Sequence, residues 1–174
     1  MLTTLLLVFS LTQTQAPAPP ALDSLSGGLK QLYGAIRTNI VEAADVMPEA
    51  DYGFRPTEDV RTFGQLVGHV TNTHYNFCAA ARGVAAPVRL NHETLTTKAE
   101  LVKALKESVA FCDAAFDGLS DADVSAQAKF GTMAITKGYA LVYNIAHDNE
   151  HYGNMVTYLR MKGIVPPSSA RNRR

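Results

Sequence analysis

Apolar residues recur every three or four positions along most of the chain, which is the period of an amphipathic helix. The first such stretch runs from about residue 22 to residue 44. Its apolar stripe consists of Leu25, Leu29, Leu32, Ile36 and Ile40. Pro48, Gly53 and Pro56 then predict a loop over 47–59, because proline and glycine interrupt helices.

Two further helices are predicted in the middle of the chain. The second runs from Thr62 to about Ala81 and ends near Gly83, and the loop over 84–95 has no strong pattern. The third begins at Thr97–Glu100, a capping box in which the threonine hydroxyl and the glutamate carboxylate satisfy free backbone amides. It closes near Gly118. Its apolar stripe consists of Leu101, Leu105, Cys112, Phe116 and Leu119.

The fourth helix has clear limits. It runs from about Thr136 to Gly163, where glycine favours a left-handed C-cap, and the prolines at 166 and 167 cannot continue it. The preceding segment, 124–132, is short, irregular and partly β-like. Four long helices joined mostly by short loops predict an all-α fold, an antiparallel four-helix bundle with one irregular segment before the last helix.

Composition and charge narrow the class of protein. The chain has 174 residues, of which 47% are apolar and 18% charged, as expected for one globular domain over 22–169. Sixteen basic and sixteen acidic side chains cancel, and no basic stripe precedes the tail at 170–174. Nucleic acids require a positive surface, so no nucleic-acid partner is expected. No run after the leader is apolar enough to be an integral membrane segment.

Residues 1–16 form a candidate signal peptide. Leu2–Leu11 is an uncharged apolar run about as long as the hydrophobic region of a secretory signal. Small residues at 14, 16 and 18 offer cleavage sites, after which 17–21 would be a proline-rich spacer. We therefore expect an exported protein, periplasmic or secreted. Because no Lys or Arg precedes the run, a mis-assigned start or a buried N-terminal helix in a cytoplasmic protein stays open.

The strongest chemical signal is a pair of histidines in the fourth helix. His147 and His151 lie four residues apart, so their imidazoles share one face and can chelate a divalent transition metal. Solvated or hydrogen-bonded helical histidines would show the same spacing. His69 lies in the second helix. If helices 2 and 4 pack side by side, His69 supplies a third ligand and leaves coordination positions for water or substrate.

Other ionisable residues near these histidines are interpreted as ordinary surface residues. His74 lies about 140° around the helix from His69, which indicates a surface or dimer-face position. His92 is expected to be solvated in the loop before helix 3. Asp148 and Glu150 flank the chelating face and are expected to be exposed, although either could orient a histidine or act as a general base.

Polar residues on the faces of the histidines could accept hydrogen bonds from the imidazole N–H groups, line a substrate pocket, or belong to ordinary surface. These candidates are Asn72, Thr73, Asn76, Tyr143, Asn144 and Asn154. Of the two cysteines, Cys112 lies on the apolar stripe of helix 3 and is expected to be buried. Cys78 points away from His69, and a disulfide between the two stays open because sequence does not give its geometry.

Three segments together resemble a known family. Residues 145–168 are similar to the last helix of DinB-like (DinB/YfiT) proteins, residues 54–70 to the entry to their second helix, and residues 97–105 to the start of their third. These are not the DNA polymerases that share the name. The resemblance covers about 22–169. It implies a four-helix bundle, often a homodimer, in which His69, His147 and His151 bind a metal.

Two other metal-site patterns are excluded. His147–His151 has the His-x-x-Glu-His spacing of inverted zinc peptidases, whose third ligand is a downstream glutamate, but no Asp or Glu follows Glu150. A di-iron carboxylate bundle requires Glu-x-x-His motifs on two helices, and the sequence contains none. The mononuclear three-histidine site remains what the family resemblance implies.

Two functions fit such a site. The first is a metal-dependent hydrolase or thiol transferase acting on a small-molecule substrate whose identity the sequence does not give. The second is a non-catalytic metal-binding or stress-related bundle in which the metal braces helices 2 and 4. The signal peptide weakens the thiol-transfer version, because small thiols are mainly cytoplasmic. Imidazole suits several metals, so the cofactor is expected to be one divalent ion of zinc, nickel or iron.

Overall fold

The computed structural model describes residues 22–87 and 91–171. Four long helices form the body of the protein: α1 (Leu25–Val46), α2 (Phe63–Arg82), α3 (Lys98–Phe116) and α5 (Lys137–Met161). The shorter elements are α4 (Asp121–Ser125), α6 (Pro167–Arg171), strands β1 (Gln127–Phe130) and β2 (Met133–Thr136), and 3-10 turns at Glu49–Asp51 and His92–Thr94. The predicted all-α four-helix bundle is confirmed, and its four helices correspond to α1, α2, α3 and α5. The predicted leader (1–16), the spacer (17–21) and most of the tail fall outside the described residues.

Side-chain caps fix where the helices begin. Thr62 accepts a hydrogen bond from the Gln65 amide at 3.1 Å, and Gln65 accepts one from the Thr62 amide at 2.9 Å, which makes a capping box that the sequence analysis did not identify. The box predicted for helix 3 is only half correct. Thr97 caps the Glu100 amide at 3.3 Å, but its hydroxyl donates to the Glu100 carboxylate at 2.6 Å, so that carboxylate does not cap the Thr97 amide.

The irregular segment before α5 is a short helix followed by a β-hairpin. Strands β1 and β2 pair antiparallel, with Gln127 opposite Thr136 and Phe130 opposite Met133. Gly131 makes the turn possible because its φ is +59°, in the left-handed region that favours glycine. The partly β-like pattern of 124–132 thus becomes an ordered ribbon packed against α2 and α5.

The core lies between the long helices, with α2 packed against both α3 and α5. Fully buried apolar side chains include Ile40, Phe63, Val67, Val70, Leu101, Leu105, Leu141, Met155 and Leu159. Each large side chain of this kind stabilises the fold by roughly 1.5–3 kcal/mol relative to its exposed state. This packing places α2 and α5 side by side, as expected for helices 2 and 4. Among the described residues no helix is both long and apolar enough to span a membrane.

A disulfide links α2 to α3. Cys78 and Cys112 are fully buried and bonded to each other, with Cα atoms 5.2 Å apart and a sequence separation of 34. The pairing that the sequence left open is therefore formed. Closing a loop of this length stabilises a fold by about 3–4 kcal/mol in the chain-entropy account.

Candidate metal centre

Three imidazoles converge in the groove between α2 and α5. Nε2 of His147 lies 3.2 Å from Nε2 of His69 and 3.1 Å from Nε2 of His151. One ring nitrogen from each histidine lies within 4.8 Å of the other two. Two nitrogens bound about 2.1 Å from a tetrahedral zinc ion would be about 3.4 Å apart. The donor set and its spacing therefore fit a small divalent cation.

The positions of the three histidines follow from helix geometry. His147 and His151 are one turn apart on α5, and their ring centroids are 4.3 Å apart. His69 lies on the facing side of α2, with its ring edge-on to His151 at 4.7 Å between centroids. Two ligands on one rigid helix and a third on its neighbour need no loop rearrangement to meet.

Each imidazole has a hydrogen-bond partner for its other nitrogen. Nδ1 of His69 lies 2.9 Å from the Glu93 carboxylate and donates to it. Nδ1 of His147 lies 3.3 Å from the Thr73 hydroxyl, which itself donates to the Val70 carbonyl and so accepts from the imidazole. These partners hold the proton on Nδ1 and leave Nε2 with its lone pair, the tautomer needed for a metal ligand.

The third imidazole also has a partner at its other nitrogen. Nδ1 of His151 lies 3.4 Å from the side-chain nitrogen of Asn154. Amide oxygen and nitrogen exchange places by a half turn, so Asn154 can accept from Nδ1–H. Of the six polar candidates, Thr73 and Asn154 thus contact the histidines directly.

Glu93 was missed by the sequence analysis because it lies in the loop that has no clear pattern. Gly68 explains how this loop reaches His69: a Cβ at position 68 would lie 2.5 Å from the His92 carbonyl oxygen and 2.7 Å from the Glu93 nitrogen. Only glycine allows the 3-10 turn to approach α2 so closely. Asn72 secures the same turn by accepting from the His92 amide at 3.0 Å and contacting its ring at 2.7 Å. The glycine directly before His69 was the one sequence feature that could have indicated a close approach of another segment to α2 at this point.

The electrostatics favour neutral imidazoles at His147 and His151 and an ionised carboxylate at Glu93. Burial first, and then the positive charges of His151 and His69, together lower the pKa of His147 to about 3. Burial also lowers the pKa of His151. Burial alone would raise the pKa of Glu93, but hydrogen bonds from Arg61 and His69 outweigh it and the net shift is downward. Neutral imidazoles beside a carboxylate are what a cation requires.

Several surface assignments from the sequence are wrong. His74 is fully buried rather than at a surface, with Nδ1 3.0 Å from Ser108 Oγ and Nε2 3.1 Å from both Asp148 carboxylate oxygens. Asp148 is only 1% exposed and also accepts from Asn144 at 2.9 Å. His92 is buried rather than solvated. Helical angles place a residue on a face, but they do not say which neighbouring helix covers that face.

The remaining candidates make no hydrogen bond to His69, His147 or His151 in the described part of the chain. Asn76 is exposed, Asn144 belongs to the buried Asp148 cluster, and Tyr143 lines an apolar pocket. Glu150 is exposed, as expected.

A wide cleft gives access to the centre. Its volume is about 860 Å³, and His151 and Glu93 lie in its wall together with Arg61, Gln65, Asn154 and Tyr158. Arg61 donates from Nε to Glu93 at 2.9 Å. The cluster is therefore not sealed inside the bundle, and a ligand entering the cleft would meet His151.

Comparison with solved structures shows the same fold in several proteins. A DinB-like protein from Bacillus cereus is 17% identical, with a TM-score of 0.69 over 84% of this chain and 98% of that chain. YfiT from Bacillus subtilis, described as a probable metal-dependent hydrolase with an unusual four-helix bundle topology, is 16% identical, with a TM-score of 0.63 over 86% and 94%. A mycothiol-dependent maleylpyruvate isomerase is 17% identical, with a TM-score of 0.59 over 76% and 61%.

No curated protein sequence matches the chain. The sequence pattern of one family does, over residues 32–155, a range that includes all three histidines. The bundle, the converging imidazoles and this match, which spans more than half of the chain, agree: the protein belongs to the DinB superfamily.

Proposed function

We propose that His69, His147 and His151 bind one divalent transition metal, and that the protein is a metal-dependent hydrolase or transferase acting on a small molecule. The observation that carries this proposal is the convergence of three Nε2 atoms with 3.1 and 3.2 Å separations, each imidazole having a partner at Nδ1. Lone pairs at such distances repel one another unless a cation or a proton lies between them.

A divalent metal held there supplies Lewis acidity, which activates water or a thiol as a nucleophile and polarises a carbonyl oxygen. The protein holds the ligands for it. Glu93, itself fixed by Arg61, keeps the proton of His69 on Nδ1 and adds negative charge near the cation. No protein nucleophile is needed. Zinc, nickel and iron all suit three imidazoles.

The alternative is a non-catalytic bundle whose metal braces α2 and α5. A brace needs a closed site with all its coordination positions filled by protein. Here three ligands converge and His151 faces a cleft of about 860 Å³, so room remains for a substrate. This openness favours an enzyme.

Between the two chemistries we favour hydrolysis. YfiT is described as a probable metal-dependent hydrolase, whereas the isomerase with this fold is mycothiol-dependent. Small thiols are mainly cytoplasmic, and we propose that this protein is exported. The buried Cys78–Cys112 disulfide supports export, because such bonds persist in oxidising compartments. Homodimer formation remains a prediction.

The experiment measures metal content by mass spectrometry in protein purified without chelators. We expect about one metal ion per chain, and loss of most of it in each of His69→Ala, His147→Ala and His151→Ala. Asn76→Ala is the matched control, because Asn76 is an exposed residue of α2 away from the histidines. Retention of full metal content by all three alanine variants would refute the site.

Activity is tested separately on a panel of aryl and alkyl esters and amides, with metal-loaded and metal-stripped protein. Turnover that disappears on stripping and in the histidine variants supports the enzyme. Metal that raises the midpoint of thermal unfolding without any turnover across the panel supports the brace.

A further inference from the structure

An apolar pocket opens beside the three histidines. Its volume is about 180 Å³. Its walls come from α2, from the hairpin and from the start of α5, and they are mostly aromatic. They include Phe77, Phe130, Met133, Ile135, Tyr139 and Tyr143. The pocket is separate from the polar cleft that reaches His151.

The pocket borders the candidate metal centre through one wall residue, Phe77. The ring of Phe77 meets the ring of His147 edge-on, with centroids 5.7 Å apart. Tyr143 lies one turn before His147 on α5 and packs on Phe77 at 4.8 Å between centroids. A group bound among these rings would therefore contact Phe77, which itself contacts His147.

The groove between α2 and α5 has a different chemistry at each end. Along α2, Gln65 lies in the polar cleft, His69 in the cluster and Phe77 in the apolar pocket. Along α5 the order is reversed, with Tyr143 in the pocket and Asn154 in the cleft. The histidines thus lie between a small apolar end and a large polar end.

The geometry points to a substrate that carries a single benzene-sized aromatic group, which binds in this pocket while its reacting bond lies at the three histidines. This inference rests on the proposed function, since it assigns the substrate class of the same site. A cavity of about 150 Å³ lined by apolar side chains is known to hold benzene, so about 180 Å³ accommodates one ring. Four aromatic side chains in the wall favour a ring, because aromatic groups pack edge-on and offset against one another.

Two hydroxamic acids with the same metal-binding head test the pocket. We expect the zinc-loaded protein to bind benzohydroxamic acid at least about tenfold more tightly than acetohydroxamic acid, a difference of about 1.4 kcal/mol, by isothermal titration calorimetry. Ile135→Trp should fill the pocket, and Tyr143→Ala should remove a wall from the partly exposed end. Both variants should bring the two affinities close together by weakening benzohydroxamic acid alone, because the histidines are unchanged.

Val142→Ala is the matched control. Val142 adjoins Tyr143 on α5 and is similarly exposed, at 49% against 46%, but it does not line the pocket. This variant should keep the tenfold preference. Equal affinities for the two acids in the parent protein, or a preference that survives Ile135→Trp, would overturn the inference.

A metal-free measurement separates this inference from the proposed function. With EDTA present, benzene should shift the NMR signals of the Met133 and Ile135 methyl groups, and it should not do so in Ile135→Trp, read at Met133. If neither hydroxamic acid binds but benzene does, the metal assignment fails and the aromatic pocket stands. If both acids bind equally and benzene causes no shift, the pocket assignment fails and the metal centre stands.

Discussion

Two histidine clusters lie side by side in this protein and differ in almost every physical respect. The first joins His69, His147 and His151 in the groove, where they are partly accessible from a cleft. The second joins His74 to Asp148 and is buried within the bundle, with side-chain exposures of 0% and 1%. His147 and Asp148 are adjacent in sequence, so α5 passes from the accessible groove to the buried cluster in a single step along the chain.

The difference lies in how the polar atoms are satisfied. In the buried cluster, Ser108 accepts at one ring nitrogen of His74, Asp148 accepts at the other, and Asn144 donates to Asp148. Ser108 Oγ donates in turn to the Leu105 carbonyl, so each ring nitrogen of His74 has a partner that is itself held in place. In the groove, by contrast, the Nε2 atoms face only one another. A closed network stabilises a fold, whereas convergent imidazole lone pairs are an arrangement that could hold a metal ion.

The largest effect is expected when the buried pair is broken. Asp148→Ala leaves His74 Nε2 and the Asn144 amide without their partner in the core. Removing one member of a buried pair typically costs about 3–5 kcal/mol. We expect the free energy of unfolding of the metal-free protein, measured in urea, to fall by that amount.

His147→Ala is the control for this comparison because it changes the neighbouring residue. Its ring is partly exposed and, apart from the Nε2 atoms of His69 and His151, has one weak hydrogen-bond partner, Thr73 at 3.3 Å. In EDTA the variant should lose less than about 1 kcal/mol of stability, while its stabilisation by added metal should disappear. Equal destabilisation by the two substitutions would contradict the distinction between the clusters.

The second effect concerns the partner of His69. Glu93→Ala removes the carboxylate that orients this imidazole, and loss of such a partner typically lowers metal affinity about 10–100-fold. Glu93→Gln keeps an acceptor oxygen and should recover part of the affinity, as measured by competition with a chromophoric chelator. An affinity that both variants leave unchanged would mean that Glu93 does not support the site.

The bundle was predictable because its helices carry long apolar stripes and strong end signals. Thr136 caps α5 and Gly163 follows its end with a φ of +72°, close to the predicted limits of 136 and 163. His147 and His151 share a face by helix geometry alone. The convergence of His69 required knowing that helices 2 and 4 are neighbours, for which the family resemblance was needed.

The features that could not be predicted from the sequence depend on contacts between segments that are far apart in the chain. Glu93 reaches His69 through a loop that crosses α2, and the pattern of 84–95 contains no periodicity to show it. His74 looked like a surface residue because the angle from His69 does not reveal that α3 and α5 cover that side of α2. Helical angles assign a residue to a face of its own helix but do not show which other helices pack on that face. The buried cluster lies between such packed helices, so it could not be predicted in this way.

A smaller effect on stability and metal binding is expected from Gly68→Ala. This substitution disturbs the candidate metal centre without changing any polar residue. The added methyl would overlap the His92 carbonyl at 2.5 Å, so the turn carrying Glu93 must move away from α2. Overpacking of this kind typically costs about 1–3 kcal/mol. We expect a lower unfolding midpoint together with weaker metal binding. Gly153→Ala is the control, because no atom lies within 4 Å of its added methyl and it is also in a helix.

The smallest effect is the contribution of His147 to the pH dependence of stability. The pKa of His147 is about 3 in the folded protein, below the roughly 6.5 of an unfolded chain, because burial and the other histidines oppose its charge. Between these two pH values the unfolded state therefore binds more protons than the folded state. The free energy of unfolding is unaffected by His147 above about pH 6.5 and decreases as the pH falls below this value. Partial exposure screens the effect, so we expect a loss of about 1 kcal/mol between pH 7 and pH 5 in EDTA. The free energy of unfolding in urea should fall by about 1 kcal/mol more between pH 7 and pH 5 in the parent than in His147→Gln. Parallel pH profiles of the two proteins would show that His147 does not titrate as its surroundings indicate.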